Sequence, residues 1–460
     1  MYDLLVRSGR VVAHHGVFEA DVAVKDDKVV SLGKNIEGHA EKTIDASGKF
    51  VLPGGIDGHT HFHLNYDGVI TADDFYTGSV AAACGGVTAV IDFITPSGSS
   101  YLVDFEKRMN DAFGKSVVDF GFHLSVTDVS AERMAELEKL LRELGVTSFK
   151  VFTAYRKRGL MLDDGMMMRL MNRCSELGAL ILAHCENDDM INALVEKHLS
   201  EGHTQPIYHS LSRPDYVEAE AVRRVGFMAG LTGTTFLVVH LSSAMGLDAV
   251  RDLRRSGVKV LVETCPHYLV FNRGVYLRED GAKYIMSPPL KDEYDRQALW
   301  RGLADGCIDV VGSDHACFNS TLKLSRKSFA EVPGGVQGVE NIIPILYSMG
   351  VRRGVISLED LARLTSYNPA NIYGLHPRKG SIIPGADADM VVFDPYMKVR
   401  LDRENLHSNL DHSIYEDVEV EGYILHTILR GEVIVEDRQF VGKKGFGRYL
   451  RRAPRSKTRE

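Results

Sequence analysis

Ile56-Asp57-Gly58-His59-Thr60-His61 (IDGHTH) is the first of eight apolar runs whose succession along the chain decides the fold. The others are VTAVIDF (87–93), FGFHLSV (120–126), SFKVFTAY (148–155), ALILAHCEN (179–187), TFLVVHLS (235–242), KVLVETCPHY (259–268) and DVVGSDH (309–315). Between them lie amphipathic stretches of helical period, such as AERMAELEKLLRELG (131–145), DDGMMMRLMNRCSELG (163–178) and SAMGLDAVRDLRRSG (243–257). Eight strand candidates, most followed by a helix, predict a (β/α)8 TIM barrel of α/β class.

The flanks read differently. Residues 1–52 are short strands with Gly and Asp turns, and KGSIIPGADADMVVFDP (379–395) returns to that texture and carries it to about Phe440. The expected organisation is a discontinuous β-sandwich domain from residues 1–52 and 379–460 around a catalytic barrel over 53–378. A chain of 460 residues exceeds the roughly 250 at which one core stops growing, which fits two domains.

With 44% hydrophobic and 25% charged residues, wholesale disorder is excluded. A net charge of −8 argues against a nucleic-acid surface and for a small-molecule partner. The six scattered cysteines form no C-x-x-C pair and read as reduced thiols in a cytoplasmic protein. The N-terminus lacks the pattern of a signal peptide, and no apolar run is long enough to enter a membrane. The tail RRAPRSKTRE (451–460) reads as a solvated terminus.

The chemistry is carried by strand ends. His59 and His61 are two apart, so on a strand both imidazoles point to one face and can meet one metal ion. His184, His240 and Asp314 each end a later strand candidate, at the barrel face where TIM-barrel sites are built. Surface or core histidines would be the plain reading of any one of these positions; their shared placement argues against it for the set. Lys150 lies inside SFKVF. Next to metal ions a protonated amine would be repelled, so it must be neutralised or chemically altered to act there.

The motifs PGGIDGHTHF, TADDFYTGSVAAACGGVT, SFKVFTAY, HCEN, IYHSLSRP, ETCPHYL, SPPL, GSDH and GADADMVVFDP, in this order over nearly the whole chain, resemble the cyclic amidohydrolases in their dihydropyrimidinase and D-hydantoinase branch. The resemblance implies two divalent metals, usually zinc, and a homotetramer. His59, His61 and Asp314 would hold one metal and His184 and His240 the other, with Lys150 bridging them as a carbamate (N6-carboxylysine). His63 shares the strand face of His59 and His61 but has no place in the family pattern.

The resemblance further makes Asp314 the proton carrier and Tyr155 the donor to the developing oxyanion. Ser287 and the turn at Gly334 would meet the imide edge of the ring through their backbones. The implied substrate is a dihydropyrimidine or 5-substituted hydantoin, opened to an N-carbamoyl amino acid. Two departures touch specificity: Gly334 stands where D-hydantoinases have Asn, and HACF (315–318) replaces HCPF. Arg156, Lys157 and Arg158 make the following loop more basic than an apolar lid, which predicts polar or anionic exocyclic groups on the substrate. Rival readings are an allantoinase, a dihydroorotase, and a non-catalytic relative like the collapsin-response mediators, which lack the metal ligands.

Overall fold

The computed structural model describes residues 1–66, 68–98 and 100–454. The N-terminal strands are β1 (Tyr2–Ala13), β2 (Gly16–Lys25), β3 (Lys28–Gly33), β4 (Ala40–Asp45) and β5 (Phe50–Pro53). After them come β6 (Gly55–Thr60) and a small hairpin, β7 (Asn65–Tyr66) with β8 (Val69–Ile70). The chain continues through β9 (Val87–Ile94), β10 (Asp119–Ser125), β11 (Ser148–Phe152), β12 (Leu180–His184), β13 (Phe236–Val238), β14 (Val260–Thr264) and β15 (Val310–Val311). It closes with β16 (Met390–Arg400), β17 (Glu419–Leu429), β18 (Glu432–Glu436) and β19 (Gln439–Phe440).

Strands β6 and β9 to β15 form one parallel sheet in chain order, each coinciding to within a residue at either end with part of one of the eight apolar runs. A parallel bridge between Thr60 and His315 spans the gap from the last strand to the first, so the sheet is nearly closed into a TIM barrel. The period of two along the strands fills its lumen: Ala89 and Ile91, Leu180 and Leu182, and Leu237 and Val239 lie in one buried cluster with Ile56 and Val310. The intervening helices form where the amphipathic stretches stand. Ala131–Leu144, for example, starts at Ser130, whose side chain accepts from the Arg133 N–H, buries Leu137, Leu140 and Leu141, and stops at Gly145 in the left-handed region.

The nine strands of the second sheet come from both ends of the chain: β1 to β5 join β16 to β19 through the antiparallel β5–β16 pair. This sheet has its own apolar cluster, including Leu4, Val22, Val24, Met390, Val392 and Ile428. A buried ionic knot ties it to the barrel. Lys379 Nζ lies 2.8 Å from Asp119 of β10, 3.1 Å from Asp387 and 2.5 Å from Asp389, while Arg430 pairs with Asp119 from the other side.

The tail is a correction to its reading as solvated. Arg451, Ala453 and Pro454 are exposed, but Arg452 is buried, with Nη1 2.9 Å from Ser148 Oγ and Nη2 bonded to the Phe122 carbonyl. Composition marks these residues as basic but cannot reveal acceptors that wait on distant strands. Residues 455–460 lie outside the described residues. Among the described residues all six cysteines are buried and free, and no helix is long and apolar enough to cross a membrane.

Candidate active site at the mouth of the barrel

Just beyond the apolar lumen, at the C-terminal ends of the strands, the same inward positions turn polar. His59 is fully buried on β6. Its Nδ1 lies 2.6 Å from Glu263 Oε1 of β14, so the imidazole donates that proton and presents Nε2 to the barrel mouth. His61 follows just past β6, and the Nε2 atoms of both histidines lie 3.3 Å from Asp314 Oδ1. Asp314 sits three residues beyond β15, its backbone in the left-handed region at φ 49°. His59, His240 and Asp314 bring one ligand atom each within 4.8 Å of one another.

The second group faces the first. His184 ends β12, and its Nδ1 is 3.0 Å from His240 Nε2. Its other nitrogen, Nε2, is 2.9 Å from Glu186, which is itself paired with Arg213 at 2.5 Å. Burial opposes charge on Glu186, but Arg213 and His184 hold its carboxyl down at about 2. The pairs His59–Glu263 and His184–Glu186 repeat one device, a carboxylate that fixes the tautomer and aim of an imidazole.

Lys150 of β11 is 1% exposed, with Nζ 5.2 Å from the Phe93 ring centroid and 5.4 Å from that of Phe152. Burial draws the amine down to about 8, against the opposing pull of Asp314 and Glu263. For Asp314 burial again opposes ionisation, yet His59, His61 and Lys150 hold the carboxyl well below its usual range. Burial lowers His61, His184 and His240, which favours neutral imidazoles, the form that ligates metal.

Among the described residues, neither His59 Nε2 nor His240 Nδ1 has a hydrogen-bond partner, although both are buried. His59 Nε2 beside the Asp314 carboxylate, with His184 Nδ1 facing His240 Nε2, makes a donor set for divalent cations that accept nitrogen and oxygen ligands. The residues fit such a group.

His61, Lys150, His184 and Asp314 open into a cavity of about 280 Å³ that also exposes Tyr155, Ser287, Gly334 and Gly335. The Tyr155 ring stands 5.0 Å from that of His184. Of the three basic loop residues, Arg156 turns to Asp188 and Asp189, whereas Arg158 lines the cavity with its guanidinium 5.5 Å from the Tyr155 ring centroid. His63 is outside the cavity lining, 3.9 Å from Asp111.

Sequence reading assigned no role to Glu186, Glu263 or Arg213. Glu186 had a signal, two residues after His184. Glu263 had another, an acid on the inward face of the apolar run VLVET. Gly312 makes room for it: a Cβ there would lie 2.7 Å from Glu263 Oε2 and 3.1 Å from the His59 Cβ.

Residues 50–434 match the model of the amidohydrolase family. The chain is 40% identical to D-hydantoinase from Geobacillus stearothermophilus over 455 residues, covering 98% of this chain and 96% of that one. It is likewise 40% identical to D-phenylhydantoinase from Escherichia coli over 457 residues, 98% of each. The crystal structure of dihydropyrimidinase from Brevibacillus agri superposes with a TM-score of 0.96 at 39% identity, covering 98% of this chain and 99% of that one.

Proposed function

This chain belongs to the amidohydrolase family, and from that premise we propose that it hydrolyses the ring amide of a dihydropyrimidine or a 5-substituted hydantoin, releasing an N-carbamoyl amino acid. The observation that carries this reading is the meeting of six side chains from five barrel strands at one mouth: His59, His61, Lys150, His184, His240 and Asp314.

His59, His61 and Asp314 would hold one divalent cation and His184 and His240 a second, zinc being the first choice for this donor set. Lys150 would join the two as its carbamate; an unmodified ammonium between cations would be strongly repelled. When bound, the metals activate water and polarise the ring carbonyl.

The chain's own residues do the rest. Asp314 accepts the proton of the attacking water and returns it to the departing ring nitrogen. The Tyr155 hydroxyl donates to the carbonyl oxygen as negative charge develops there. Backbone groups at Ser287 and Gly334 orient the imide edge, a contact that survives replacement of the family's Asn by Gly if it is made by the main chain. Arg158 at the cavity wall favours a polar or anionic exocyclic group. The same reading includes a β domain from 1–52 and 379–460 around a catalytic 53–378 barrel, and a cytoplasmic homotetramer.

The test is ring opening of dihydrouracil, hydantoin, allantoin and dihydroorotate by one metal-loaded preparation. Turnover of the first two should dominate, and preference for either of the last two would overturn the assignment. A kcat/KM for 5-phenylhydantoin equal to or above that for 5-carboxyethylhydantoin would reject the role given to Arg158.

A further inference from the structure

Lys323 is a buried cation that the mechanism does not use. It lies on the short helix Ser320–Leu324, is 1% exposed, and points away from solvent under the cavity wall. Its Nζ donates to three backbone carbonyls: Lys283 at 2.9 Å, Ile285 at 2.8 Å and Gly335 at 2.5 Å. Three acceptors match the three N–H groups of an ammonium; a neutral amine would turn its lone pair on one of them. Burial draws this amine down to about 7, against the opposing pull of Cys317, and the three carbonyls are arranged to accept from its charged form.

The three carbonyls belong to two segments distant in sequence, and both line the cavity, one at Ser287 and the other at Gly334 and Gly335. The segments also bond to each other directly, Gly335 N–H to the Ile285 carbonyl at 3.0 Å. Gly335 has φ 148°, and a Cβ on it would lie 2.0 Å from the Ala316 carbonyl oxygen. The turn is therefore held in a conformation open to glycine, whose unfettered backbone is otherwise the freest of any residue. On the far side of Ile285, His209 Nε2 donates to the Met286 carbonyl at 2.8 Å.

We infer that Lys323 is a positioning residue for the substrate: it clamps the backbones of 283–287 and 334–335 together so that their peptide groups meet the carbonyl and N–H edge of a cyclic ureide. This rests on the proposed ring contacts at Ser287 and Gly334. Lys323 touches neither the ring nor the metal ligands, so its loss should act on substrate affinity.

The experiment uses the metal-loaded full-length protein and its Lys323→Met variant, with hydantoin and dihydrouracil as substrates. Lys323→Gln, shorter and with two donors, serves if the first variant does not fold. The expected result is a KM raised about tenfold or more with kcat within about threefold, metal content as in the wild type, and faster backbone amide exchange in 283–287 and 333–337. Unchanged KM, or a loss of kcat together with metal, would overturn the inference. If the wild type opens neither ring, the functional reading fails, and exchange alone judges the clamp: unaltered protection of both segments would overturn it.

Discussion

Replacing Glu263 should weaken the metal centre without touching a ligand. Its Oε1 accepts both from His59 Nδ1 at 2.6 Å and from the His240 backbone N–H at 3.1 Å, while Oε2 lies 3.4 Å from the Tyr373 hydroxyl. With two donors on one oxygen, a glutamine must turn its carbonyl to them and its amide nitrogen to Tyr373. Glu263→Gln thus keeps the His59 tautomer and loses only the charge that makes the imidazole a stronger ligand. Glu263→Ala loses the acceptor as well. Outer carboxylates of this kind are worth about 10- to 100-fold in metal affinity, or about 1.4–2.7 kcal/mol. The lower figure is expected for Gln and the upper for Ala. Competition with a chromogenic chelator measures the affinity, and circular dichroism checks that the barrel is intact. A folded Glu263→Ala protein that holds metal as tightly as the wild type would refute the reasoning.

Three further outcomes follow from the same geometry. Lys150→Ala and Asp314→Ala should each abolish ring opening and leave the fold intact, and near-normal turnover by either would contradict the roles given. Lys379→Met leaves Asp119, Asp387 and Asp389 buried without their shared cation, which should cost about 3–5 kcal/mol of stability; denaturant unfolding followed by intrinsic fluorescence reads it, and a loss below about 1 kcal/mol would show the knot to be replaceable. The buried pair of Asp73 and His315, 2.9 Å apart, should make stability depend on pH. Against burial, His315 and Ser408 hold the Asp73 carboxyl below its ordinary 3.8, and Cys317 and Asp73 hold the His315 imidazole well above its ordinary 6.5. The aspartate's contribution is present above pH 3.8 and lost as pH falls through its depressed value; the histidine's is present below pH 6.5 and lost as pH rises through its elevated one. Unfolding midpoints should therefore fall more steeply below pH 4 in the wild type than in Asp73→Asn, and parallel acid profiles would remove the pair from the account.

Much of the barrel was legible because its strands are buried on both faces and so read as unbroken apolar runs. The candidate histidines and Asp314 could be seen because each interrupts such a run at its end, and Lys150 because it interrupts one from within. Their partners were harder to find. Glu186 and Glu263 lie inside HCEN and ETCPHYL, but an acid's task depends on what faces it across the barrel, and a separation of 204 positions between Glu263 and His59 carries no periodic signal. Lys323 sits in the plain segment STLKL, where a lysine reads as solvated; its burial comes from carbonyls in two remote loops. The burial of Arg452 was missed for the same reason, since its acceptors are Phe122 on β10 and Ser148 on β11. Local pattern reports which residues are buried in regular elements, whereas long-range pairing of polar groups appears only once the chain is folded.

The most direct measurement is elemental analysis of freshly purified, unchelated protein, joined to a crystal structure with anomalous scattering. Two divalent cations per subunit, held by His59, His61, His184, His240 and Asp314 and joined through a carboxylated Lys150, are the expected result. Protein that binds no metal at these side chains, with the Lys150 amine unmodified and directed elsewhere, would contradict it.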